Sequence, residues 1–212
     1  MGIYLTIAIA VVSAVVMMWL GARQTTDRLL KDSVPLTDEG LLAEVARLAH
    51  ALGLPKIEVR IYEAPMVNGL AGPDGRVFLT RGFVNRYRLG QVSAAEMAGV
   101  VAHELGHVAL GHVRRRMIDF TGMNAVFVVM TALFSRFLPI IGIWVANAIS
   151  TAVMASLSRR DEFEADAWAS ALLVKAGIGT EPQKSMFLKL DHMTGGLGEG
   201  IPAWMRSHPP TP

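Results

Sequence analysis

The run from Ile3 to Ala22 places twenty residues in succession without a single charge. A helix of that length, at about 1.5 Å per residue, matches a bilayer hydrocarbon core about 30 Å thick, so the amino-terminal segment is expected to span a membrane. A cleaved secretory signal is the rival reading. Against it, Met1-Gly2 supplies no basic residue ahead of the run, and Leu20-Gly21-Ala22 lacks a small residue at its first position. A second apolar stretch, Phe120 to Ser158, carries Arg136 as its only charge. Its two arms, roughly 120–134 and 138–157, meet near Pro139, which interrupts helical hydrogen bonding and suggests a helical hairpin. The first arm is short for a full span, and a pair of buried helices or a shallow re-entrant hairpin is the alternative.

Basic residues Arg23, Arg28 and Lys31 follow the first run, and Arg114-Arg115-Arg116 and Arg159-Arg160 flank the second. The positive-inside rule places all these flanks, and the polar body they border, on the cytoplasmic side, with the amino terminus outside. Composition agrees with attachment to a bilayer: 52% of the 212 residues are apolar and 18% charged, too hydrophobic for a disordered chain. A net charge of +2 offers no broad basic field, so no nucleic-acid partner is expected. With no cysteine, disulfides and thiolate metal sites are excluded, and any metal must sit on His, Asp or Glu.

Between the apolar pieces, Leu41, Leu42, Val45, Leu48, Ala49 and Leu52 recur at helical spacing within 36–52, closed by Gly53 and Pro55. Ile57, Val59 and Ile61 alternate with polar residues, and 76–80 alternates similarly, with Gly72-Pro73-Asp74-Gly75 as turn chemistry between them. A small sheet is implied. The Gly-rich piece 195–200 reads as a loop, not a phosphate cradle, since no strand precedes it.

Ser93-Ala94-Ala95-Glu96 has the form of a capping box and predicts a helix start. On that helix lies His103-Glu104-Leu105-Gly106-His107. Histidines four apart share a face and can reach one cation, while Glu104 stands beside that face, within reach of an attacking water: the pattern of a zinc hydrolase. His112 is a poor third ligand, because on a continuous helix it is rotated away from His107. After the second apolar stretch, Glu162 and Asp166 are four apart on a helical pattern. Glu162 can complete a His₂Glu site, and Asp166 can accept the free N–H of a ligating imidazole. The alternative for this acidic cluster is a solvated face with i,i+4 charge pairs, Glu164 pointing elsewhere.

The order of these pieces, H-E-x-x-H on a helix, an apolar hairpin, then Ser158-Arg159 with Glu162 and Ala165-Asp166, resembles the HtpX-type and CAAX prenyl protease-type membrane gluzincins. Val67-Asn68-Gly69-Leu70-Ala71 through Val77–Gly82 is similar to that family's sheet and edge strand, so the likeness covers roughly residues 36–210. Gly69 departs from the alanine often found there. The resemblance implies that Asn68 lies along an edge strand where an extended substrate docks by backbone pairing. It also implies that His208, in Ser207-His208-Pro209-Pro210, donates to the tetrahedral oxyanion, the alternative being a loose proline-rich tail.

The expected fold is α+β: a mainly helical zincin-like metallopeptidase body with a small β-sheet, an N-terminal transmembrane helix and an apolar helical hairpin. Its expected pieces are an anchor (1–22), a first peptidase segment (23–119), the hairpin (120–158) and a second peptidase segment with the third ligand (159–212). The expected activity is that of a zinc-dependent membrane endopeptidase in membrane protein quality control. His103, His107 and Glu162 would hold Zn²⁺, Glu104 would be the base, and membrane or unfolded polypeptides would be the substrates. The partner surface is the lipid bilayer and the location the cell inner membrane, with the catalytic body facing the cytoplasm. A non-catalytic membrane scaffold of the same fold and a prenyl-protein protease are the competing readings.

Overall fold

A computed structural model describes residues 2–112 and 142–193, together with residues 115, 127, 130 and 131. Most of the first arm of the expected hairpin, the Gly-rich loop 195–200 and His208 lie outside the described residues.

The chain opens with helix α1 (Gly2–Lys31), followed by strand β1 (Ser33–Pro35) and helix α2 (Glu39–Leu52). Three short strands come next, β2 (Val59–Tyr62), β3 (Gly69–Ala71) and β4 (Val77–Thr80). Helices α3 (Arg81–Arg88), α4 (Ala94–Ala109), α5 (Gly142–Lys175) and α6 (Glu181–Met193) complete the described chain. The architecture is mainly helical with one small sheet.

Helix α2 forms where the apolar period predicts it. The Asp38 side chain caps it by accepting from the Leu41 N–H, and Gly53 ends it at φ 69°, a left-handed conformation that glycine adopts without strain. Leu41, Val45 and Leu48 are buried along one face, while Leu42 is exposed, because the stripe facing the core is narrower than the apolar pattern.

The sheet order is β1-β2-β4-β3. β2 and β4 run parallel with Val59 opposite Val77, while β1 and β3 flank them antiparallel. The turn before β4 closes by the Gly75 N–H donating to Gly72 O at 3.0 Å, with Gly75 at φ 85°. All four residues of β4 are buried, and both of its edges are paired, with β2 on one side and β3 on the other. Leu48 of α2, Leu79 of β4, Phe83 of α3, Met97 of α4, Leu173 of α5 and Met186 of α6 meet in one core.

Helix α5 runs 34 residues without a break, so the expected boundary between 158 and 159 falls inside it. Its later turns pack on α4 through buried Glu162, Ala165, Ala169 and Leu173, while Ile143, Trp144, Ile149 and Val153 of its first turns are exposed. On α1, Val12, Val15, Met17 and Trp19 are exposed as well. Among the described residues, no helix is long and apolar enough to cross a membrane.

Candidate active site

The site is assembled on α4, whose start is fixed by the predicted box. The Glu96 N–H donates to Ser93 Oγ, and the Ser93 N–H donates to the Glu96 carboxylate at 2.7 Å. That carboxylate also accepts from Lys189 Nζ at 2.8 Å and Ser185 Oγ at 2.5 Å, tying the beginning of α4 to α6. Because the helix starts at a fixed residue, His103 and His107 emerge on the face turned toward α5.

Their Nε2 atoms stand 3.1 Å apart, and Glu162 Oε2 lies 3.3 Å from the first and 3.4 Å from the second. All three side chains are buried. Ligand atoms about 2.0–2.1 Å from a tetrahedral zinc lie about 3.3 Å from one another, so this triangle has the dimensions of three corners of such a site. Two imidazoles and one carboxylate, all presenting σ-donor atoms to one point, also match the donor set that zinc takes in open hydrolytic sites. His103, His107 and Glu162 can therefore hold a metal ion.

Asp166, one turn beyond Glu162, accepts from His103 Nδ1–H at 2.8 Å, which fixes Nε2 as the ring nitrogen that faces the triangle. Burial pulls the His103 imidazole down, but the bonds to Asp166 and Glu162 outweigh it and hold the ring up at about 10. Without a metal the ring therefore carries both protons, and an ion bound at Nε2 would take the place of the one shared with Glu162.

Glu104 is buried beside the triangle and borders an open pocket. Asn68 and Gly69 of the β3 edge form one wall, and Phe83, Val100, Met186 and Leu190 give the rest an apolar lining. Asn68 is held by its backbone: its N–H donates to Thr80 Oγ1 at 2.9 Å, and its carbonyl accepts from the Thr80 N–H at 3.0 Å. Asn68 Oδ1 is buried with no hydrogen-bond partner among the described residues. The glycine that follows lets the strand approach α4 closely. A Cβ at Gly69 would meet Val100 Cγ1 at 2.8 Å and the Glu104 side chain at 3.4 Å.

The reading of His112 as rotated away from the site needs correction. Helix α4 ends at Ala109, and Gly111 at φ 70° turns the chain, so the continuous-helix projection does not apply. His112 is fully buried, with its Nδ1 2.9 Å from His107 Nδ1. Glu164 likewise turns inward, its Oε2 lying 3.2 Å from His112 Nε2. Arg160 foremost, and then His112, hold the Glu164 carboxyl down at about 2. Sequence reasoning set both residues aside without pairing them, and the one signal of their meeting was Gly111, a helix-stop residue just ahead of His112. His112, Asp161 and Glu164 also approach one another closely, but the Arg115 guanidinium lies 3.0 Å from Asp161 and 3.5 Å from Glu164 and supplies the cation there.

The structure thus brings together His103, His107, Glu162 and Asp166, with Glu104 adjacent and Asn68 across the same pocket. Comparison with known proteins agrees with that geometry. The model of Peptidase family M48 matches residues 35–212. Protease HtpX of Pseudomonas paraeruginosa is 27% identical, over 95% of this chain and 79% of its own length. Metalloprotease YcaL of Escherichia coli is 29% identical over 79% of this chain and 64% of its own length. Metalloprotease LoiP of the same organism is 30% identical over 70% and 59%. The sequence motifs, the buried His₂Glu triangle and these matches converge: the chain belongs to peptidase family M48 and is a metalloprotease of the HtpX type.

Proposed function

We propose that the protein is a membrane-attached zinc endopeptidase that cuts membrane or unfolded polypeptides in protein quality control. The carrying observation is the triangle of His103, His107 and Glu162, whose 3.1–3.4 Å edges suit one tetrahedral zinc ion. When bound, zinc supplies Lewis-acid polarisation of the scissile carbonyl and makes water nucleophilic near neutral pH. The chain's own groups do the rest. The Glu104 carboxylate takes the proton of the attacking water and delivers it to the leaving amine nitrogen. Asp166 keeps His103 in the tautomer that presents Nε2.

Strand β3 ends the sheet at β1-β2-β4-β3, and its outer edge borders the pocket beside Glu104. An extended substrate adding to that edge would pair with its backbone, and Asn68, which lines the pocket, would turn its unpartnered Oδ1 toward a substrate N–H. The Asn68 carbonyl side chain then aligns the scissile bond between Glu104 and the triangle. His208 is assigned to the oxyanion on the resemblance of Ser207–Pro210 to the family's H-P segment.

Attachment to a bilayer is supported by the exposed apolar residues on α1 and on the first turns of α5. Arg23 stacks its guanidinium 5.5 Å from the Trp19 ring, an arrangement suited to a headgroup interface at the end of an apolar segment. Because α5 continues from this apolar part directly to Glu162, the site would sit close to the membrane surface, with the peptidase body on the cytoplasmic side of the inner membrane.

The test is casein cleavage by detergent-purified protein with zinc, wild type against Glu104→Gln, paired with alkaline extraction of membranes. Cleavage lost in the variant with zinc still bound, and protein retained in the extracted membranes, is the expected result. Equal cleavage by both proteins rejects Glu104 as the base, and release into the alkaline supernatant rejects integral attachment.

A further inference from the structure

A ligating imidazole gives its metal one lone pair, so the other ring nitrogen must carry the proton, and the group accepting that proton fixes which nitrogen faces the metal. For His103 that group is Asp166. For His107 it is another imidazole: the two Nδ1 atoms of His107 and His112 are 2.9 Å apart, and the rings meet edge-on with centroids 5.1 Å apart. A hydrogen bond between two imidazole nitrogens needs one of them bare.

The far side of His112 decides which. Its Nε2 lies 3.2 Å from Glu164 Oε2, and that carboxylate is paired with Arg160 at 2.9 Å and Arg115 at 3.5 Å, so it accepts. His112 Nε2 therefore carries the proton and its Nδ1 is bare. The bare nitrogen accepts from His107 Nδ1–H, and His107 Nε2 is left with its lone pair toward His103 and Glu162. Every proton in the chain Glu164–His112–His107 then runs in one direction.

Resting on the reading of His103, His107 and Glu162 as the metal site, we propose that His112, oriented by Glu164, is a positioning residue that fixes the tautomer and orientation of His107 for metal binding. It does for one ligand, through an imidazole, what Asp166 does for the other through a carboxylate. The relay keeps the charge of Glu164 one ring away from the ligands, where Arg115 and Arg160 neutralise it. Full burial of His112 and the chain reversal at Gly111 hold it in place.

The experiment uses the full chain in detergent and measures zinc affinity by competition with a chromophoric chelator, the absorption spectrum after cobalt substitution, and ¹⁵N imidazole signals. In the zinc-loaded wild type the proton is expected on Nδ1 of His107 and on Nε2 of His112. His112→Phe, which fills the space but accepts no proton, is expected to bind zinc about 10–100-fold more weakly and to change the cobalt spectrum. His112→Gln, whose amide oxygen can accept the same proton, is expected to restore most of that affinity. A folded His112→Phe protein with wild-type zinc affinity overturns the proposal. Should that variant not fold, the wild-type ¹⁵N pattern decides, and a proton on His112 Nδ1 overturns it equally. Failure of the wild type itself to bind one zinc rejects the metal-site reading beneath it, a result distinct from either of these.

Discussion

A Cβ placed on Gly106 would stand 3.0 Å from the carbonyl oxygen of Ala165 and 3.1 Å from its Cα. Gly106 lies between the two histidines of α4, and Ala165 between Glu162 and Asp166 of α5. Their backbone contact therefore sets the distance across which one carboxylate can reach two imidazoles. Gly106→Ala is expected to force the helices apart by a few tenths of an ångström, costing about 1–3 kcal/mol, and to weaken zinc binding. Gly106→Val should abolish it. Thermal melts and zinc titration check this, and a folded valine variant with wild-type affinity would contradict the role given to the contact.

Asp166 and Glu162 occupy the same helix face but act at different removes. Glu162→Ala deletes a donor atom, and stoichiometric zinc binding should vanish. Asp166→Asn leaves all three donors and removes only the charge that receives the His103 Nδ1 proton at 2.8 Å. About 10–100-fold weaker zinc binding is expected, with the fold retained. Chelator competition on the two variants separates these outcomes, and an identical loss in both would show that Asp166 does more than orient the ring.

The meeting of His103, His107, Glu162 and Asp166 was legible in the sequence, because its signals are local. The i,i+4 spacing of His103 and His107 and of Glu162 and Asp166 is a property of any helix, and the Ser93 box marks where one of those helices begins. Helix α2 followed from its apolar period in the same way. What the sequence hid depends on chain reversal or on contact across elements. A three-residue strand such as β1 is too short for alternation to be read. Helix α3 is amphipathic but only 8 residues long, too short for its period to be told from a loop. His112 escaped because Gly111 ends the helical projection on which its position was judged, and Glu164 because its partner was His112.

Gly69 answers a question that the sequence raised by departing from alanine. Its missing Cβ lets the edge strand lie against α4, 2.8 Å from Val100 Cγ1 at the built position. In Gly69→Ala, Val100 can rotate away, but the Glu104 side chain at 3.4 Å must also give. The expected result is a modest stability loss of about 1 kcal/mol and a larger fall in kcat, about tenfold, since the base is displaced from the pocket wall. Steady-state kinetics on a quenched peptide check the split. A variant whose KM rises while kcat stays constant would place Gly69 in substrate binding alone.

Glu96 ties the start of α4 to α6, which forms one wall of the pocket. Burial pushes its carboxyl up, but Lys189, Ser185 and the Ser93 N–H outweigh that and hold it below the ordinary 4.5. A carboxyl depressed in the folded state contributes stability that is fully present above its unfolded value and is lost as pH falls through its folded value. Wild-type stability should therefore decline below about pH 4.5, with a steeper slope than in Glu96→Gln, which cannot titrate there. At neutral pH the alanine variant should lose about 2–4 kcal/mol, because Lys189 forfeits a mostly buried partner and α4 forfeits half of its box. Since α6 carries Met186, Phe187 and Leu190 of the pocket wall, peptidase activity should fall along with stability. Urea denaturation of wild type and Glu96→Gln between pH 7 and pH 3 provides the measurement, and parallel curves would show that the Glu96–Lys189 pair does not govern the acid limit.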